Sequence, residues 1–295
     1  MQPAAAGALL VDKKTGMTSH DIVAAVRRMT GIRRVGHAGT LDPFATGLVV
    51  LLIGRATRFF DLLAPLVKQY VVTVQFGARS TTGDIDGVIE PVPGRVSAAA
   101  LAAALPSFRG QITQRVSAYS AVKQGGERLY KKARRGEAVT LPERLVEVHS
   151  LETLAFDEDS QRAQLRVVCS KGTYIRSLAE DIGAALGTAA YAATLRREAV
   201  GDFKVSRAVT VDRLQEMQPE ALLSGANPSF LSCVGALYFL PVRELNTDEA
   251  AAVTNGRCID GDEGGPVVLT RAGETVAVYR PAAAAGQMRP LVVMV

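Results

Sequence analysis

The chain is poor in the residues that most metal and cofactor chemistry needs. Its 295 residues include 3 Cys, 3 His and no Trp. Cys169, Cys233 and Cys258 lie far apart with no paired spacing, which excludes a disulfide framework and a zinc knuckle. A His/Cys metal site would have to recruit His20, His37 and His149 from three distant places, so no metal is expected. No run of about 18 apolar residues occurs, and no membrane span is expected. The stretch Met1–Leu10 has no cationic region ahead of its apolar residues, so it does not read as a signal peptide. There is no phosphate loop ending in Gly-Lys-Ser/Thr, no three-glycine dinucleotide fingerprint and no Gly-x-Ser-x-Gly elbow. These absences predict a soluble protein of a reducing compartment, the cytoplasm, that works without a nucleotide cofactor.

What is present is a basic, core-forming chain. Hydrophobic residues make up 48% and charged residues 21%, enough for a packed core and too apolar for bulk disorder. The net charge is +5 and is unevenly spread. Residues 241–295 hold five Arg and no Lys against seven acids, net −2, which leaves net +7 on residues 1–240. A basic body suits a polyanionic partner, although basic proteins without one are common.

Elements follow from periodicity. Gly7–Val11 reads as a strand ending at charge. Thr18 reads as an N-cap with Asp21 completing a capping box, and Ile22, Val23, Val26 and Met29 recur at helical spacing until Gly31. Arg27, Arg28, Arg33 and Arg34 crowd that end, either as a solvated face suited to the helix dipole or as phosphate ligands. Gly47–Ile53, Gln69–Phe76 and Leu165–Cys169 read as strands, Ser80–Gly87 as a loop, and Ala98–Leu105 and the basic stretch Arg128–Arg135 as helices. Thr173 opens a helix with Ile175, Leu178, Ala179, Ile182 and Leu186 on one stripe, closed by Gly187. The mixture lacks regular strand–helix alternation and predicts an α+β fold. A boundary is expected within residues 226–246. Beyond it a short helix (Thr247–Val253) and strands at Val267–Thr270, Thr275–Tyr279 and Leu291–Val295 predict a small β-rich module over 241–295, set against a main domain over 1–240.

The most unusual stretch is Gly36-His37-Ala38-Gly39-Thr40-Leu41-Asp42-Pro43-Phe44-Ala45-Thr46-Gly47. Pro43 pushes Asp42 out of helical conformation. An acid set between Leu41 and Phe44, beside glycines that let a substrate approach, suits a nucleophile or base. An Asp-Pro turn closed on its own backbone explains the same residues.

This loop resembles the catalytic signature of the pseudouridine synthases, specifically the TruB family. Further pieces follow in the family's order. Leu10-Val11-Asp12-Lys13 and Gly16-Met17-Thr18-Ser19 resemble its opening, Lys68-Gln69-Tyr70 its Lys-x-Tyr strand, and Thr82-Gly83-Asp84-Ile85-Asp86-Gly87 its acidic loop. Tyr119-Ser120-Ala121-Val122-Lys123, with Leu129-Tyr130 and Ala133-Arg134, resembles its central segment. Lys171-Gly172-Thr173-Tyr174-Ile175-Arg176 resembles its third catalytic motif and Leu195-Arg196-Arg197 a later one. Residues 241–295 resemble, more loosely, a PUA-type RNA-binding module or a shortened one. Lys14 and Val116-Ser117 stand where the family usually has prolines, which bears on loop geometry rather than chemistry.

The resemblance implies a pseudouridine synthase fold with a mainly antiparallel mixed sheet and flanking helices. It implies isomerisation of uridine 55 in the tRNA T-loop, without cofactor, by a monomer contacting the T-loop and T-stem. Asp42 is then the nucleophile and Arg176 its charge partner. Tyr70 stacks on the target base and helps take the C5 proton, Tyr174 and Leu195 shape the pocket, and Lys13 supports it. His37 fills the space vacated by the extruded base, and Asp84 contacts RNA or organises its own loop. Two other readings remain open at this point: an RNA-binding chaperone with a structural Asp42, and a glycoside hydrolase pairing Asp42 with Asp84 or Asp86.

Overall fold

A computed structural model describes residues 6–115, 123–124, 127–128, 135 and 142–294. The segment Tyr119–Lys123 and the basic helix expected over Arg128–Arg135 therefore lie almost wholly outside the described residues. The fold is α+β. One large mixed sheet runs, from edge to edge, through Val209–Thr210, Gly7–Lys13, Thr46–Ile53, Ala190–Val200, Lys68–Phe76, Arg162–Cys169, Glu143–Asp157 and Gly110–Arg115. Most pairings are antiparallel. Ala190–Val200 meets Thr46–Ile53 in parallel through Arg196–Thr46 and Arg197–Gly47, and Val209–Thr210 is parallel to Gly7–Lys13.

The apolar run at 47–53 has a physical explanation in the two layers it serves. Val49, Leu51 and Ile53 enter one buried cluster with Ile22, Val26, Leu178 and Ile182 from the helices over Ser19–Thr30 and Ile175–Ala185. Leu48, Val50 and Leu52 enter a second cluster with Phe59, Leu63, Val268, Val278 and Met294. A strand covered on both faces must be apolar at every position, and each such side chain contributes about 1.5–3 kcal/mol by leaving water.

The helix Ser19–Thr30 starts and stops as its sequence dictates. The Thr18 hydroxyl accepts from the Asp21 N–H at 3.1 Å, and the Thr18 N–H donates back to the Asp21 carboxylate at 2.8 Å. Gly31 ends it in the left-handed region at φ +69°. The helix Ile175–Ala185 begins one residue later than expected. Tyr174 occupies the N-cap position, because the Thr173 hydroxyl closes the preceding turn on the Ser170 carbonyl at 3.0 Å instead of capping.

The C-terminal segment forms a separate five-stranded sheet ordered Val242–Glu244, Val267–Arg271, Glu274–Pro281, Gln287–Val293 and Ile259–Asp260, with the helix Thr247–Thr254 against it. It is continuous with the main body. Phe230–Ser232, inside the expected boundary region, pairs with Gly7–Leu9 of the main sheet. Arg55 and Arg58 donate to the Met294 and Val293 carbonyls.

One close approach in the main sheet is at Gly47. Its φ is +102°, and a Cβ there would lie 2.3 Å from the Arg197 carbonyl oxygen. Gly47→Ala should therefore destabilise the protein by about 2 kcal/mol or more, combining backbone strain with a backbone clash. Chemical denaturation checks this, and a stability equal to wild type would contradict it.

Candidate active site

The loop before Gly47 is tied down on all sides of Asp42. Lys13 has no solvent exposure, and its Nζ donates to the carbonyls of Met17 at 2.8 Å, Pro43 at 3.1 Å and Lys14 at 3.1 Å. The Leu41 N–H donates to the buried Ser19 hydroxyl at 2.8 Å, the Gly16 N–H to the Pro43 carbonyl at 2.9 Å, and the Thr15 hydroxyl to the Phe44 carbonyl at 3.1 Å. The opening motif, Lys13 to Ser19, is thus a brace for the loop. The Ala45 N–H does reach the Asp42 carbonyl at 3.1 Å, as an Asp-Pro turn would have it. That bond uses the Asp42 backbone and leaves its side chain for another partner.

That partner is Arg176. Its Nε lies 3.0 Å from Asp42 Oδ2 and its Nη1 3.2 Å from Asp84 Oδ2, while Nη1 also donates to the Thr82 carbonyl at 2.7 Å. Arg176 is 3% exposed and Asp84 5%. The other oxygen of Asp84 accepts from the Thr82 hydroxyl and from the Asp86 N–H at 3.1 Å. Asp84 thus faces inward and orients the guanidinium, which stands between the two carboxylates. The turn leading into Arg176 is fixed by Gln114, whose side-chain amide exchanges two hydrogen bonds with the Tyr174 backbone at 3.0 and 3.2 Å.

These elements enclose a cavity of about 590 Å³. Asp42, Tyr70, Tyr174, Arg176 and Leu195 line it together, with Arg197, Lys68 and Ala38–Leu41 on its floor and walls and Phe60, Arg144, Leu145 and Lys171 around them. Its size is in the usual range for a small-molecule or single-nucleotide site, ~300–1,000 Å³. Lys13, His37 and Asp84 are not on the lining. Lys13 lies under the loop and Asp84 behind Arg176. His37 ends the short strand Val35–His37, and its Nδ1 accepts from the Gly39 N–H at 3.4 Å.

Electrostatics separate the roles. Desolvation pushes the Asp42 carboxyl above the usual aspartate range, while the Arg176 guanidinium pulls it down. Burial likewise pushes the Tyr70 phenol up, opposed by the Arg197 guanidinium. Burial and then Arg197 push the His37 imidazole down, so it is neutral at pH 7. Burial brings the Lys13 ammonium down to about 8.

Sequence reading quoted Arg197, Ser19 and Lys68 within motifs without giving them a role, and passed over Gln114. For Arg197 a signal existed. On an alternating strand it shares the face of Leu195, two positions before it, and both are buried.

A carboxylate paired with a buried arginine, sharing a basic cavity of nucleotide size with a tyrosine, is the constellation that the sequence motifs announced. Comparison with known proteins identifies the family. Residues 27–175 match the model of the TruB family pseudouridylate synthase N-terminal domain, and residues 176–224 that of the tRNA pseudouridylate synthase B C-terminal domain. The chain belongs to the TruB family. It is 44% identical over 261 residues to tRNA pseudouridine synthase B of Azoarcus sp. (strain BH72), covering 88% of this chain and 85% of that one. It is 40% identical over 295 residues to that of Mycobacterium bovis (strain BCG / Pasteur 1173P2), covering 94% and 96%. Among solved structures, it superposes on a chain of a Cbf5-Nop10-Gar1 complex with a TM-score of 0.75 and 25% identity, covering 98% of this chain and 85% of that one. The TruB fold, with its large mixed sheet and added β-rich module, is therefore that of this protein.

Because Asp42 is raised above the ordinary range, turnover should rise with pH through a single ionisation higher than a free aspartate's, as the reactive carboxylate forms. A kcat–pH profile measures this. A flat profile down to the ordinary aspartate range would contradict it.

Proposed function

We propose that this protein converts uridine 55 in the T-loop of tRNA to pseudouridine, with Asp42 as the nucleophile acting on a flipped-out nucleoside. The observation that carries the reading is the Asp42–Arg176 contact at 3.0 Å on the wall of a cavity that also holds Tyr70. Its relatives of 40–44% identity are tRNA pseudouridine synthases B, which supports tRNA as the substrate.

The reaction is an isomerisation. The bond from ribose C1′ to uracil N1 breaks, the base turns, and C1′ rejoins at C5. The proton lost from C5 is balanced by the one gained at N1. No electron leaves or enters and no group donor is required. A carboxylate, a cation to keep it ionised and a group to receive the C5 proton suffice. Asp42 supplies the first and Arg176 the second, and Tyr70 takes the third role while stacking on the base. Tyr174 and Leu195 shape the space around the ring, Lys13 and Asp84 hold the loop and the guanidinium, and His37, one residue from the lining, sits where the extruded base leaves room.

A base inside a folded loop must leave its stack to reach this cavity. Phosphate contacts position the RNA for that step without reading its sequence. Arg28, Arg33 and Arg34 are exposed, as are Arg144 and Lys171 beside the cavity. The five-stranded module over 241–295 acts in this reading as a PUA-like RNA-binding element, and the enzyme is a cytoplasmic monomer. The glycoside-hydrolase alternative loses support because Arg176 occupies the position between Asp42 and Asp84.

Two outcomes are expected. Asp42→Asn should abolish tritium release from C5-labelled uridine in a T-loop hairpin while the variant still binds tRNA. Full release by that variant would falsify the assignment, and binding without release by the wild-type protein would leave a chaperone. Raising salt from ~50 to ~200 mM should weaken tRNA binding about 10-fold or more, since several phosphates are neutralised. A salt-independent dissociation constant would contradict the basic-face argument.

A further inference from the structure

Beyond opposing the upward shift of Tyr70, Arg197 has been given no role above, yet it is among the largest fully buried side chains, at 2% exposure. A guanidinium does not shed its proton in a protein, so burying it demands acceptors for its donors. Among the described residues no carboxylate pairs with it. Its acceptors include three backbone carbonyls, Leu48 from Nε at 2.7 Å, Thr40 from Nη1 at 3.2 Å and Gly39 from Nη2 at 3.1 Å, and the Tyr70 phenol is a further partner. Thr40 and Gly39 stand two and three residues before Asp42, and Leu48 opens the buried strand after it. One rigid planar group therefore fastens the chain on both sides of Asp42. The close approach at Gly47, where a Cβ would strike the Arg197 carbonyl oxygen at 2.3 Å, is what lets that group reach under the loop.

We propose that Arg197 is a positioning residue for the reaction: by fixing the Gly39–Thr40 backbone it aims the Asp42 carboxylate at Arg176 and at the bound nucleoside. The proposal rests on Asp42 being the acting carboxylate. A purely structural arginine would tie strand to strand, whereas two of these three bonds end on the reactive loop. Arg197 also lines the cavity, so its effect is exerted at the site itself.

Arg197→Lys is the informative variant. It keeps the charge but replaces the planar fork, whose three bonds leave from three separate nitrogens, with a single nitrogen on a flexible stem that cannot reproduce that geometry. The expected result is a folded protein that binds a T-loop hairpin within about threefold of wild type and turns over about 100-fold more slowly, the scale of a misplaced reactive group. The acid limb of its kcat–pH profile should also move to higher pH, because a carboxylate set farther from Arg176 holds its proton longer. Wild-type kcat, a fall in kcat with an unmoved acid limb, or lost affinity with unchanged kcat would each overturn the proposal. Arg197→Gln, shorter and uncharged but still able to donate two hydrogen bonds, is the second variant, and loss of the fold in both would overturn it too. Asp42→Asn is assayed alongside. If it is inactive while Arg197→Lys is normal, only this inference fails; if it is active, the assignment of Asp42 itself fails.

Discussion

A carboxylate inside protein keeps its charge only if something repays the lost hydration. In this molecule that something is one guanidinium. Arg176 reaches Asp42 and Asp84 from two of its nitrogens, and much of the surrounding structure serves to hold that arrangement. The strand Lys68–Phe76 brings Tyr70 to the same cavity, the Gln114 amide sets the turn before Arg176, and Thr82 and the Asp86 N–H turn Asp84 toward the arginine. Desolvation and ion pairing act in opposition on Asp42, and desolvation is the larger. The result is a carboxyl above its ordinary range whose charged form an adjacent cation still favours.

The loop that carries Asp42 is short of internal hydrogen bonds and is held from outside. Lys13, Ser19, Gly16, Thr15 and Arg197 supply donors or acceptors from two sequence regions, one ahead of the loop and one about 150 positions downstream. Bracing of this kind fixes a reactive group without placing bulky side chains between it and a substrate. The same economy explains the two-sided core. Because alternate residues of Thr46–Ile53 enter different clusters, the strand directly following the reactive loop is locked from both faces.

Much of this was legible in the sequence, and the parts that were not have identifiable causes. Thr18, Asp21 and Gly31 fixed the first helix because capping is local chemistry. The apolar run at 47–53 could only be a doubly covered strand. Asp42, Tyr70 and Arg176 were found through motifs, and the structure brings them together. By contrast, the 15-residue strand Glu143–Asp157 was missed, since only Val146, Val148 and Leu151 are buried among its charged and polar residues. Arg197 escaped because a charged residue is presumed to face water, and its buried acceptors come from a distant segment. The N-cap fell at Tyr174, whose N–H donates to the Gln114 side chain some 60 positions away, because the Thr173 hydroxyl is spent on the Ser170 carbonyl. Local signals were read correctly where local bonds decide, and were insufficient where a long-range hydrogen bond does.

The claim on which everything turns is that Arg176 opposes the desolvation that pushes the Asp42 carboxyl upward. A carbon-detected NMR titration of the Asp42 carboxyl, in the wild-type protein and in Arg176→Met, tests it most directly. The account predicts a value above that of a free aspartate in the wild type and a further rise when the guanidinium is removed. An Asp42 carboxyl that titrates identically in both proteins would contradict it.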